Sequence, residues 1–189
     1  MPIVLGPVST GRLAQMASLA SALPYSYPEV GRTRDSCPPG YRPDRRSVDL
    51  GSGVSAFERA IEGLRRWESQ RGAGARVAPP DAGIVAGQTV VVALAFGPLT
   101  MVAPCRIVYV DDEPDRFGFA YGSLAGHPEQ GEESFHVIRQ GTRVRFEIAA
   151  FSRPAHPLAR LGHPVARCLQ TRIVGRYLQG IRAFVESAG

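Results

Sequence analysis

Apolar positions along this chain recur at two spacings, and the switch between them marks out the elements. Phe57, Ala60, Ile61, Leu64 and Trp67 follow one another at three and four residues, with Arg59, Glu62 and Arg66 on the opposite side. That period predicts an amphipathic helix running to about Glu68. Ser55 with Glu58 three residues later gives a capping-box signal at its start, and the Gly-rich stretch from Arg71 to Ala75 ends it. A shorter amphipathic helix is predicted over Leu13 to Leu23. Near the C-terminus, Val165, Cys168, Leu169, Ile173, Tyr177, Leu178, Ile181 and Phe184 form a long apolar stripe. Arg167, Arg172, Arg176 and Arg182 lie off that stripe, and Pro164 suits its first turn.

Between these helices the spacing falls to two, or the apolar residues run together. Arg45 to Leu50 alternates, Val90 to Phe96 is continuously apolar, and Met101 to Val110 follows after Gly97-Pro98. Pro104 inside that last run calls for an edge position or a bulge. Three further strands are predicted over Phe117–Tyr121, Gly131 to Arg139 and Arg143 to Phe151, the last two joined by the tight-turn signal Gln140-Gly141. Pro24, Pro28, Pro38, Pro39 and Pro43 forbid long regular structure before Arg45. The expected organisation is an irregular leader, residues 1–44, packed on a single domain, residues 45–189.

Strand, helix, a run of antiparallel strands and a long closing helix make an α+β chain. Its sheet has one face to cover, and the amphipathic C-terminal helix is the natural cover. Curling the sheet around that helix gives a helix-grip fold. The expected architecture is a curved antiparallel sheet of about six or seven strands wrapped around the helix, with a cavity between them.

Most polar groups that are not plainly surface lie between Arg116 and His156. In Arg116–Ser123 large and small side chains alternate: Phe117, Phe119 and Tyr121 share one face, Gly118, Ala120 and Gly122 the other. The small face leaves room for a ligand or the closing helix, or serves close packing without a void. The following turn carries His127, Glu129, Glu132 and Glu133 at a spacing that matches no standard metal motif. Glu132 or Glu133 is better read as the partner of an arginine, Arg145, at a cavity mouth. Arg145 shares its strand face with Arg143 and Glu147, which reads either as a solvated face or, if the sheet curls it inward, as an anion anchor. Ser152 and His156 are four residues apart, but no nucleophile elbow accompanies them, and His156 reads as structural or as a cavity gate. Because successive hairpins alternate ends, the turn at 127–131 and the exit at 152–156 are expected at the same end. His127, Glu132, Glu133, Ser152 and His156 would then form one polar cluster at the mouth. The expected pocket lining is Trp67, Phe119, Tyr121, Phe146, Ile148 and Tyr177, with His127, Glu133, Arg145 and His156 as polar anchors.

Charge and cysteine content narrow the function classes. The net charge is +5, every basic residue among the 22 is Arg, and neither Lys nor Asn occurs. Arg favours phosphate contacts, but its use throughout the chain is the pattern of a GC-rich genome. The arginines are dispersed, without interleaved stacking aromatics, so no specific nucleic-acid partner is expected. Cys37, Cys105 and Cys168 are odd in number and widely spaced, which gives neither a disulfide framework nor a metal knuckle. No apolar run reaches the ~20 residues of a membrane span, and no basic start precedes an apolar block. A cytoplasmic location is expected, with no cofactor. Oligomeric state is not encoded in any of these features.

The strings YPEVGRTR, PPGY, LGSGVSAFERAIEGLRRW, VAGQTVVV, CRIVYVDDEP, RFGFAYGSLAGHPEQGEESF and VRFEIAAFSRPAHPLARLG, with the Arg-rich closing helix, add a further clue. They resemble the uncharacterised bacterial and plant family catalogued as domain of unknown function nineteen-ninety, over about Tyr25 to Val185. That family is similar to the START-like, or Bet v one-like, superfamily of helix-grip proteins, which includes lipid carriers, hormone receptors and polyketide cyclases. The resemblance implies the helix-grip fold and supplies no catalytic residues. The expected function is binding of a small hydrophobic or amphipathic molecule in the cavity. The alternatives are a cyclase- or hydratase-type enzyme using a cavity acid–base pair, and an interaction protein with a filled core.

Overall fold

The computed structural model describes residues 3–155 and 163–187, with side chains from Gln170 onward in the second stretch. Its elements run β1 (Ile3–Leu5), α1 (Thr10–Ala20), a 3-10 turn (Arg32–Arg34), β2 (Arg42–Ser52), α2 (Val54–Arg65) and α3 (Glu68–Gly72). They continue with β3 (Ala75–Ala78), β4 (Thr89–Phe96), β5 (Leu99–Glu113), β6 (Arg116–Ser123), β7 (Glu129–Gln140), β8 (Arg143–Pro154) and α4 (His163–Glu186). The strands form one antiparallel sheet in the order β2-β8-β7-β6-β5-β4-β3, so the first long strand lies beside the last. β1 pairs with the start of β5, at Leu99–Met101, before the pairing of β5 with β6 begins at Cys105.

Local chemistry sets this register. The β7–β8 hairpin places Gln140 opposite Arg143, and Gly141 takes the left-handed conformation (φ +62°) that a two-residue turn needs. Pro104 pairs with Val91 of β4 and ends the ladder with β6, where its carbonyl accepts the Leu124 N–H at 3.0 Å. Its missing donor therefore leaves no gap within a strand pair. β5 does carry a bulge, but further on, between Ile107 and Tyr109.

The inner face of the sheet meets α2, α3 and α4. Phe119, Phe135, Phe146, Ile148, Ala60, Leu64, Trp67, Val174, Tyr177 and Ile181 belong to one buried cluster. Each large side chain in it contributes ~1.5–3 kcal/mol through removal from water. α4 approaches α3 at Gly180, whose Cα sits so close to Gly72 that a Cβ on Gly72 would lie 2.3 Å from it. α2 starts one residue before Ser55, with Gly53 at its N-cap and no side-chain cap, so the capping box does not form. The single helix expected to Glu68 is two, because Trp67 turns into the left-handed region (φ +60°) between them. The Trp67 indole donates to the Ala82 carbonyl at 2.9 Å and meets the Phe119 ring edge-on, with ring centres 5.2 Å apart, which holds that break in place.

The outer face is covered by the N-terminal residues. α1 sets Leu13 and Ala17 against Val91, Ala93 and Val102. Further on, Tyr27 and Tyr41 pack on Phe151. The small residues of β6 face this side and not the closing helix. A Cβ on Gly122 would lie 2.0 Å from the Tyr27 hydroxyl oxygen, and one on Gly118 would lie 2.3 Å from the His136 ring. The small face therefore serves close packing under the N-terminal strap.

Candidate functional site

On β7 the residues that face α4 are Glu129, Gly131, Glu133, Phe135 and Val137, by strand alternation from the buried Phe135 and Val137. Glu133 is thus a carboxyl group placed in the row of the hydrophobic core. Tyr121, opposite it on β6, donates its hydroxyl to Glu133 Oε2 at 2.9 Å. Burial pushes the Glu133 carboxyl up to about 7; the Tyr121 hydrogen bond pulls the other way, and the Glu129 and Asp44 carboxylates add to the rise. The same burial raises the Tyr121 hydroxyl far above its ordinary value. The Tyr177 hydroxyl on α4 is raised as well, first by burial and then by the Glu133 charge. Among the described residues no cation pairs with Glu133. Its side chain nevertheless keeps partial access to solvent.

The surroundings grade from apolar to polar along the strands. Phe119, Phe146 and Ile148 lie at the dry end, each at most 2 % exposed. At the other end Gln170 of α4 donates to Glu129 Oε2 at 3.0 Å and to Ser152 Oγ at 3.3 Å, tying the helix to β7 and β8. Burial raises the Glu129 carboxyl, opposed by its hydrogen bond with Ser152. Asp44 of β2 and Glu133 of β7 both lie opposite Ala150 of β8, so a methyl group is all that separates two acidic positions across the sheet.

Of the expected site residues, the sheet and helices bring Trp67, Phe119, Tyr121, Glu133, Phe146, Ile148 and Tyr177 into one interior cluster with Glu133 at its polar end. Arg145 does not join them. β8 turns Arg145 to the outer face, where it donates to Glu147 at 2.6 Å, because Val144, Phe146 and Ile148 take the inner face. Glu132 and Glu133 cannot share a site, since adjacent strand residues point to opposite faces. His127 is held by its own turn: Nδ1 accepts the Glu129 N–H at 2.9 Å, and burial lowers the ring to about 4, so it is neutral near pH 7. His156 lies outside the described residues. Among the described residues no three His, Cys, Asp or Glu side chains come together as metal ligands.

Two polar constellations on the outer face were not foreseen from the sequence, which had placed Glu132 in the mouth cluster. Glu132, only 3 % exposed, accepts the Tyr27 hydroxyl and the Gly31 N–H on one oxygen, each at 2.7 Å. Its other oxygen accepts the Thr33 N–H at 3.0 Å and the Thr33 hydroxyl. The buried carboxylate thus latches the strap to β7. Four residues along the same strand face, His136 Nε2 lies 2.9 Å from Asp111 Oδ2, and Arg34 and Arg116 converge on the same carboxylate. The strict alternation of β7 was the signal available: Glu132, Ser134 and His136, at every second position, had to face away from Phe135.

The architecture matches solved structures at low sequence identity. Ara h 8.0201 superposes with a TM-score of 0.55 at 11 % identity, covering 78 % of this chain and 99 % of that one. Norcoclaurine synthase from Thalictrum flavum, solved with dopamine and hydroxybenzaldehyde, gives 0.55 at 11 % identity, covering 79 % and 88 %. Both are Bet v 1-like helix-grip proteins, and the present chain has that fold. A UPF0548 protein of Deinococcus radiodurans is 33 % identical over 201 residues, spanning 98 % of each chain. The model of the Domain of unknown function (DUF1990) matches residues 26–180, and the chain belongs to that family.

Proposed function

We propose that this protein binds a small amphipathic molecule between the inner face of the sheet and α4, with the polar head of the ligand at Glu133 and Tyr121 and its apolar body toward Tyr177, Phe119 and Trp67. The observation that carries this reading is Glu133 itself: a half-buried carboxyl group beside aromatic rings, accepting one tyrosine hydroxyl and paired with no cation among the described residues. A charge largely withdrawn from water without a partner is costly. A ligand bearing a hydrogen-bond donor or an amine would compensate it. The fold neighbour norcoclaurine synthase, described with dopamine and hydroxybenzaldehyde, supports small aromatic molecules as a size class. Arg145 has no part in this reading, since it lies on the other face.

Native mass spectrometry of the protein purified from its own host tests the proposal. The expected result is a co-purifying small molecule that is lost in Glu133→Ala and retained in Arg145→Ala. A molecule bound equally by the Glu133→Ala protein would sink the assignment of the site. A second reading, enzymatic, is favoured by the value near 7 of Glu133, which suits a group that gives and takes a proton at neutral pH. It differs in one outcome: the molecule released after incubation would differ in mass from the one that entered.

A further inference from the structure

On the opposite face of the sheet, between strap and strands, lies a pocket of about 160 Å³ lined by Thr33, Arg34, Arg45, Arg116, Ser134, His136, Glu147 and Ala149. Its lining is almost wholly polar, and it stands apart from the interior around Glu133, because β7 alternation puts Ser134 and His136 outward. Three guanidinium groups reach it from three separate pieces of chain: Arg34 from the strap, Arg45 from β2 and Arg116 from β6.

The charges around it do not balance. Asp111 takes Arg34 and Arg116, and Glu147 takes Arg145. Arg45 has no ion-pair or hydrogen-bond partner among the described residues. Glu132 adds one negative charge behind Thr33, where four hydrogen-bond donors already satisfy it. Arg34, Arg45, Arg116 and Arg145 against Asp111, Glu147 and Glu132 leave one positive charge in excess. His136 is neutral near pH 7, lowered to about 4 by burial first and by the Arg116 charge second, so it adds none. A pocket with converging guanidiniums and an unmatched cation on its wall is chemically suited to an oxyanion.

We propose that this outer pocket is a binding site for a small phosphate-type oxyanion, which bridges Arg45 of β2 to Arg34 of the strap and so pins the strap to the sheet. Free phosphate and the phosphate group of a larger ester share this chemistry, and the partly open mouth admits either.

Inorganic phosphate is the probe, titrated into the full chain against potassium chloride at matched ionic strength. Two quantities are read: the midpoint of thermal unfolding, and the rate of tryptic cleavage after Arg32 and Arg34. The expected result is a saturable rise in the midpoint with slower cleavage at both arginines. In Arg45→Gln the apparent affinity should fall about tenfold or more, the loss of one charge-assisted contact. Because Arg45 holds no other group among the described residues, that variant should keep the midpoint of the parent in chloride. Arg71→Gln, on α3 across the molecule, should bind as the parent does. A glycerol phosphate titration separates the sources: equal affinity assigns the site to a phosphate ester group, and affinity for inorganic phosphate alone assigns it to the free ion. No saturation beyond the chloride control, or equal binding by Arg45→Gln, would overturn the proposal.

Discussion

At the scale of single residues, Glu133 and two histidines make stability depend on pH in opposite senses. The Glu133 carboxyl is raised from 4.5 to about 7 in the folded state, so the native protein holds a proton there that the unfolded chain releases above pH ~4.5. Stability from this group is therefore fully present below that value and declines as pH rises to about 7, by a total of roughly 3 kcal/mol. His127 and His136 act in the opposite sense. Each is lowered from 6.5 to about 4, so each contributes stability above pH ~6.5 that is lost as pH falls toward 4. Glu133→Gln keeps an acceptor for the Tyr121 hydroxyl and removes only the ionisation. We expect its unfolding midpoint in urea to exceed that of the parent at pH 8 and to coincide with it near pH 4.5. A difference that does not vary with pH would show that Glu133 is not buried as described. The identity of Glu133 as a candidate was legible in the sequence, because it stands in a strand whose alternate positions, Phe135 and Val137, are apolar. The outward place of Arg145 was legible too, because it alternates with the apolar Val144, Phe146 and Ile148, and only an inward curl of the sheet would have made it an anchor.

At the scale of elements, the sequence carried the strands and the closing helix, because their periods are long and regular. It did not carry the features that depend on contact between distant segments. The break at Trp67 occurs within an unbroken helical period, and it exists because the indole finds Ala82 and Phe119. β1 and β3 are too short, at three and four residues, for a period to announce them. The small face of β6 was visible, but what covers it was not: only the Tyr27 and His136 contacts assign it to the strap. The crossing of α3 and α4 offers a direct test of such a contact. A Cβ on Gly180 would lie 2.6 Å from the Glu68 carbonyl oxygen and 2.8 Å from the Gly72 Cα, both backbone atoms that cannot move aside cheaply. Ala is the better helix former by ~1 kcal/mol, yet overpacking of this kind costs ~1–3 kcal/mol. Gly180→Ala should lower stability in urea, whereas Gly175→Ala on the same helix, with open space around its Cβ, should raise it or leave it unchanged. Equal effects at the two positions would remove the crossing as a constraint. Ending the chain before Pro164 is expected to give insoluble or molten protein, since Val174, Tyr177, Ile181 and Val185 leave the core together; cooperative melting of that truncation would contradict it.

At the scale of the molecule, one sheet serves two separate interiors. The inner face holds the aromatic core and Glu133; the outer face holds the strap, latched by Glu132. The two adjacent glutamates of β7 divide these tasks because a strand sends neighbours to opposite sides. Loss of one interior should then leave the other standing. Glu132→Ala removes the acceptor for the Tyr27 hydroxyl, the Gly31 and Thr33 N–H groups and the Thr33 hydroxyl at once. Donors left without a partner while buried cost ~1–3 kcal/mol each, which the strap avoids by lifting into water. The lifted segment contains Arg32 and Arg34, so we expect trypsin to cut there at least tenfold faster than in the parent. The remaining body should still unfold cooperatively, because Phe119, Phe135, Phe146 and α4 make their contacts on the other side. Tyr27→Phe removes one of the four donors and keeps the ring against Phe151, so its cleavage should fall between parent and Glu132→Ala. Cleavage unchanged in Glu132→Ala would mean that the tyrosine cluster alone holds the strap. Loss of cooperative unfolding would mean that the two faces are a single unit, coupled through the backbone of β7.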